Sequence, residues 1–150
     1  MSFSIDGKTV MVTGAANGIG AALARHFAEN GANVMCADID EKALKKDLGD
    51  SADDSNVRYF AGDLREKLTL ANLLSATVDA FDRVDVLVNA SRQMATTDPL
   101  DMNDETVEKL LQQNLMTSLR LSQMVAQRMI KQDQEQDHEF AGMIINLSSI

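Results

Sequence analysis

The residues Thr13-Gly14-Ala15-Ala16-Asn17-Gly18-Ile19-Gly20 have the types and spacing to hold a phosphate. An apolar run ends at Thr13 and a helical pattern follows Gly18. A helix N-terminus presents unpaired N–H groups and a partial positive charge, which together suit an anion. Glycines let the backbone turn tightly and come close to a pyrophosphate. The spacing is Gly-x3-Gly-x-Gly, not the commoner Gly-x-Gly-x2-Gly. A plain strand-to-helix turn without a ligand would use the same glycines. Asp38 supplies a second group. It ends the second apolar run, near the ~20-residue offset at which an acid meets the adenosine ribose of a dinucleotide. A carboxylate there accepts hydrogen bonds from both ribose hydroxyls and repels a 2′-phosphate. Neither Ala16 nor Ile39 offers a positive charge to offset that repulsion, so the pattern favours NAD over NADP. Asp38 could instead cap the following helix, a role for which Asp40 competes.

The elements that must position these groups can be read from the apolar pattern. Residues 9–13, 33–37, 57–61, 84–88 and 143–147 are short apolar runs and predict strands. Ile19, Ala22, Leu23 and Phe27 recur at helical spacing, and Asn30-Gly31 supplies a stop. Residues 41–48 predict a short charged helix, and residues 51–56 a polar loop. Leu70, Leu74, Val78 and Phe81 mark one face of a third helix. The only proline, Pro99, falls in a loop before a long helix. That helix's inward stripe reads Val107, Leu110, Leu111, Asn114, Ser118, Leu121, Val125 and Met129. Residues 132–139 read as a polar, mostly acidic loop. Strict alternation of strand and helix predicts a doubly wound α/β fold: a parallel sheet with right-handed crossovers and helices on both faces. Residues 1–150 show no repeat and no linker, and read as a single domain.

Composition narrows the function classes. The chain has 150 residues, with 45% apolar and 25% charged residues, which is ordinary for a globular protein. Fourteen basic against 23 acidic residues give a net charge of −9, which disfavours nucleic acid and anionic membrane as partners. A single cysteine, Cys36, excludes an internal disulfide and a cysteine zinc cluster. The two histidines, His26 and His138, lie far apart and no metal site is expected. His26 reads as a helix-surface residue and His138 as a solvated loop residue. No apolar run approaches the ~18 residues of a membrane span, and the N-terminus lacks a signal pattern. The expectation is a cytoplasmic protein.

Taken in order along the whole chain, these motifs resemble the short-chain dehydrogenase/reductases, a family with a Rossmann fold. The glycine turn is similar to that family's cofactor turn, which implies cofactor contacts at Gly14, Asn17, Gly18, Ile19 and Gly20. Asp38 matches its cofactor-selecting acid. Asp63-Leu64, after the third strand, resembles the acidic pair that meets the adenine ring. Asn89-Ala90, after the fourth strand, stands where the family has Asn-Asn-Ala-Gly. Asn114 falls where the family keeps a catalytic Asn on its long helix. Asn146-Leu147-Ser148-Ser149 looks like the strand that delivers the catalytic Ser, which implies that role for Ser149.

The resemblance implies NAD-dependent hydride transfer between nicotinamide and a small alcohol or carbonyl substrate. It implies a Ser hydroxyl that polarises the substrate oxygen, and an Asn that helps hold a proton-relaying water. It also implies a homotetramer or homodimer, built through the helix carrying Asn114 and the helix after Ser149. Two departures stand out. Asn89-Ala90-Ser91-Arg92 replaces the second Asn and the final Gly of the motif, and Arg92 puts a cation where Gly is usual. It reads as a solvated arginine, or as one that attracts an acidic substrate or a cofactor phosphate. The family's Tyr-x3-Lys proton-transfer pair lies downstream of its Ser, whereas the only Tyr here is Tyr59, with Asp63 four residues on. The expectation is therefore the N-terminal part of a longer enzyme, its sheet truncated after the fifth strand, and inactive alone. The alternative is a non-catalytic dinucleotide-binding fragment or inactive subunit. A third class, another nucleotide-binding α/β enzyme such as a methyltransferase, would leave Asn114 and the Asn146–Ser149 segment as coincidences.

Overall fold

In the computed structural model, which describes residues 4–48, 55–136 and 140–149, five parallel strands form one sheet in the order β3-β2-β1-β4-β5. The strands are β1 (Thr9–Thr13), β2 (Asn33–Asp38), β3 (Val57–Ala61), β4 (Val86–Asn89) and β5 (Met143–Asn146). They alternate with α1 (Gly18–Glu29), α2 (Glu41–Leu48), α3 (Lys67–Phe81), α4 (Thr106–Leu111) and α5 (Thr117–Gln136). A π-helical turn, Gln112–Met116, joins α4 to α5. The fold is the doubly wound α/β arrangement expected from the alternation.

Successive strand side chains point to opposite faces, so each central strand feeds two cores. Val10, Val12, Val34, Cys36, Val86 and Val88 face one side, where Ala24 and Leu44 cover them. Met11, Met35, Ala37 and Leu87 face the other, against Leu70 and Leu73 of α3 and Leu121, Val125 and Met129 of α5. Strand β1 is buried along its whole length, as a strand covered on both faces must be. Burial pushes the Cys36 thiol up to about 12, because the thiolate would lose its hydration. Asp85, fully buried at the entry to β4, accepts a hydrogen bond from Thr9 N–H at 2.9 Å and pairs with Arg83.

The fourth strand runs Val86–Asn89 and not over 84–88, because Val84 is bonded to Gln132 and Asp85 to Arg83 before the ladder with β1 begins at Val86. Four further details differ from the sequence reading. Ile19 is 66% exposed: it turns away from the core, which α1 meets through Gly20 and Ala24. The inward stripe of the long helix holds only in its second half. Leu121, Val125 and Met129 are buried, whereas Val107, Leu111 and Asn114 are exposed. The π-helical turn explains this, since its i→i+5 bonding shifts the helical phase between the two halves. Helix α5 continues through Gln136, where a loop from residue 132 was expected. Gln132 is buried there because its amide replaces a strand partner for Val84. Its Oε1 accepts the Val84 N–H and its Nε2 donates to the Val84 carbonyl, both at 2.9 Å. Finally, Leu64 sits in the core beside Met11 and Leu70. His138 and residues 51–54 of the polar loop lie outside the described residues. Among the described residues, no helix is long and apolar enough to cross a membrane.

Candidate functional site

Strand order reverses between β1 and β4, whose following crossovers go to opposite directions along the sheet. Such a reversal opens a crevice at the carboxyl ends of the strands, where doubly wound sheets bind ligands. Here it is a cleft of about 1370 Å³, above the ~300–1,000 Å³ usual for small-molecule pockets. Every site residue named from the sequence lines it: Gly14, Asn17, Gly18, Ile19, Gly20, Asp38, Asp63, Leu64, Asn89, Ala90, Asn114 and Ser149.

The glycine turn is built for close approach. Gly14 and Gly18 have φ of +68° and +56°, a region that side chains with a Cβ rarely adopt. A Cβ on Gly14 would come within 2.7 Å of Ser91 Cα, and one on Gly20 would run into the Gly14 carbonyl oxygen. Asn17 makes no side-chain cap to α1, and the first turn of that helix has no acidic residue. Its leading N–H groups therefore face the cleft without a competing carboxylate, which fits a phosphate.

Asp38 and Asp40 divide their work. Asp40 accepts the Ala43 N–H at 2.9 Å and caps α2. Asp38 accepts from Ala16 N–H and from Asp40 N–H, each at 3.1 Å. Its carboxylate thus ties the glycine turn to the end of β2 and stands in the cleft with further acceptor capacity. Asp63 pairs with Arg65, whose Nε and Nη2 reach its two oxygens at 2.6–3.1 Å. The Arg65 hydrogen bonds hold the Asp63 carboxyl below its ordinary range. The Asp-x-Arg spacing is the signal in the sequence that could mark this pair. Leu64 buries its side chain, so its contribution to the cleft is backbone.

The opposite wall is a braced loop. Thr13 Oγ1 accepts N–H groups from Ala90 and Ser91, each at 3.2 Å. Gln113 Nε2 donates to Ser91 Oγ at 3.0 Å. Asn114 holds the Gln93 backbone at both ends: its Oδ1 accepts the N–H at 2.7 Å and its Nδ2 donates to the carbonyl at 2.9 Å. Both functions of the Asn114 amide are thereby satisfied at an exposed position, from within the π-helical turn. The Asn89 side chain is turned inward. It donates to Asn146 Oδ1 at 2.9 Å and Ser122 Oγ at 3.1 Å, bridging β4 to β5 and α5. Ser148 and Ser149 are exposed at the end of β5 and line the same cleft. Tyr59, on β3, is not among the cleft residues. Ser118, on the stripe read from the sequence, lines the cleft too, as do Gln113 and Ser122, which nothing in their spacing distinguishes on a polar-rich helix.

A Rossmann-like sheet with its cleft at the strand reversal is the class that this geometry defines. The chain belongs to the short chain dehydrogenase family, whose model matches residues 8–150. It is 33% identical over 146 residues to an uncharacterised oxidoreductase of Thermotoga maritima, covering 97% of this chain and 54% of that protein. It is 32% identical over 152 residues to a D-threitol dehydrogenase of Mycolicibacterium smegmatis, covering 98% and 54%. An NAD-dependent glycerol dehydrogenase of Listeria innocua is 29% identical over 147 residues, covering 98% and 54%. The crystal structure of gox2181 superposes with a TM-score of 0.82 at 29% identity, covering 96% of this chain and 54% of that one. The chain spans about half the length of the curated relatives it matches.

Proposed function

We propose that this chain supplies the cofactor half, and part of the catalytic half, of an NAD-dependent oxidoreductase acting on a hydroxyl or carbonyl group. The observation that carries the reading is the convergence of the glycine turn, Asp38, Asn114 and Ser149 on one cleft. When bound, a nicotinamide dinucleotide supplies the hydride chemistry. The open N-terminus of α1 would hold its pyrophosphate, and Asp38 its adenosine ribose. Asp38 and its surroundings disfavour a 2′-phosphate, since the flanking residues Ala16 and Ile39 are uncharged. Ser149 would hydrogen-bond the substrate oxygen, and Asn114 would fix the loop that borders it. The similarity to relatives named as a D-threitol dehydrogenase and an NAD-dependent glycerol dehydrogenase supports a small polar alcohol as substrate class.

The position of Tyr59 outside the cleft favours a second reading for this segment by itself: dinucleotide binding without turnover. Assembly with a second copy is supported by Val107 and Leu111, an i, i+4 apolar pair on α4 that is 51–52% exposed. The reading is tested by calorimetric titration with NAD and NADP. NAD is expected to bind at least about tenfold tighter than NADP, and Asp38→Asn to weaken NAD by roughly ten- to a hundredfold, as lost hydrogen bonds to a charged group imply. Equal affinity for the two cofactors, or an Asp38→Asn variant that binds NAD normally, would sink it.

A further inference from the structure

Arg92 stands in the cleft with no hydrogen bond or ion pair among the described residues, and it differs in that from Arg65, a second cation lining the cleft, which is paired with Asp63. Its neighbours on both sides are fixed. Ser91 is held by Thr13 Oγ1 through its N–H and by Gln113 through its hydroxyl. Gln93 is clamped through both backbone groups by Asn114. The three-residue segment is therefore pinned before and after Arg92 through Ser91 and the Gln93 backbone, and Arg92 is its only charged side chain. The same segment packs backbone to backbone on the glycine turn, since a Cβ on Gly14 would meet Ser91 at 2.7–2.8 Å and the Ala90 carbonyl at 2.9 Å. Arg92 thus issues from a rigid point between the open N-terminus of α1 and the Asn114–Ser149 end of the cleft. A guanidinium is permanently charged and offers a planar fork of donors matched to carboxylate and phosphate oxygens. On a chain of net charge −9, it is a local positive site against a repulsive background.

We propose that Arg92 is the anion-recognition residue of this cleft, binding a phosphate or carboxylate oxygen of the bound ligand. Two sources share that chemistry: the pyrophosphate of the dinucleotide, and an acid group on the substrate. The inference rests on the cleft being the dinucleotide site proposed above. The test compares the protein carrying this sequence with its Arg92→Ala and Arg92→Lys variants, by calorimetry at low and high salt. The probes are ADP-ribose, adenosine, inorganic pyrophosphate, and succinate added to the NAD-saturated protein. If the pyrophosphate is the source, Arg92→Ala weakens ADP-ribose by about tenfold or more, with adenosine unchanged and the lysine variant partly restored. If a substrate acid is the source, ADP-ribose stays within about twofold while succinate binding falls by that tenfold. Either result supports the proposal, and in either the loss shrinks at high salt. Unchanged binding of ADP-ribose, pyrophosphate and succinate in Arg92→Ala overturns it. A parent protein that binds neither NAD nor ADP-ribose refutes the dinucleotide reading instead. Arg92 is then judged on pyrophosphate and on succinate added to the protein alone.

Discussion

On the β2–β3 side of the cleft, the acidic side chains have protein partners before any ligand arrives. Asp38 is held by the Ala16 and Asp40 N–H groups, and Asp63 by Arg65. On the β4–β5 side the pattern is inverted. There Thr13, Gln113 and Asn114 hold the loop, largely by its backbone, while Arg92 is left to the cleft. The two sides solve positioning differently. One fixes the functional side chains themselves and so presets what they recognise. The other commits its polar side chains to holding the loop, so that the Arg92 side chain can change without rebuilding the scaffold. That is consistent with a family whose named members act on different alcohols.

Breaking the seam between the two sides should have the largest effect. Gly14→Ala places a methyl group against Ser91 and forces φ of +68° on a residue with a Cβ. Overpacking and left-handed strain together predict a loss of about 3 kcal/mol in urea unfolding, accompanied by loss of NAD binding. A variant of normal stability would mean that the loop yields, and that the β4 side is not rigid. A middle-sized effect is expected on the β4 side alone. Gln132→Ala leaves the Val84 N–H and carbonyl buried without their partner, which should cost about 2 kcal/mol in unfolding free energy. NAD affinity should hold at native temperature, since Gln132 lies away from the cleft. The smallest effect belongs to the β2 side. Asp40→Ala removes the cap of α2 and should cost about 1 kcal/mol. Its backbone N–H still meets Asp38, so NAD affinity should change by less than about twofold. A larger change would show that the two aspartates act as one unit, against the division of labour drawn from their hydrogen bonds.

These contrasts also explain what was legible in the sequence. The strands were, because a strand buried on both faces must be an unbroken apolar run, and β1 matches its run residue for residue. The glycine turn and Asp38 were legible because few residue types can do what they do. The phase change inside the long helix was not. A π-helical turn leaves no compositional mark, so Val107 and Leu111 looked continuous with the buried Leu121 and Val125. Gln132 looks like loop for a similar reason: nothing in a run of polar residues says that one amide will serve the backbone of a strand entry 48 residues earlier. Leu64 belongs to both regions. It lines the cleft where its motif puts it, while its apolar side chain follows the hydrophobic effect into the core.

The lone thiol has a practical use. Cys36 lies fully buried in β2, one strand from the middle of the sheet, and stays protonated at neutral pH because burial raises it to about 12. Thiol reagents attack the thiolate, so the native chain should be nearly inert to them. Modification then requires the sheet to open around β2. Because the sequence contains no other cysteine, the labelling rate is a single-site clock for that opening. Run with and without a dinucleotide, the clock would read how strongly an occupant of the cleft holds shut a strand whose thiol it never touches.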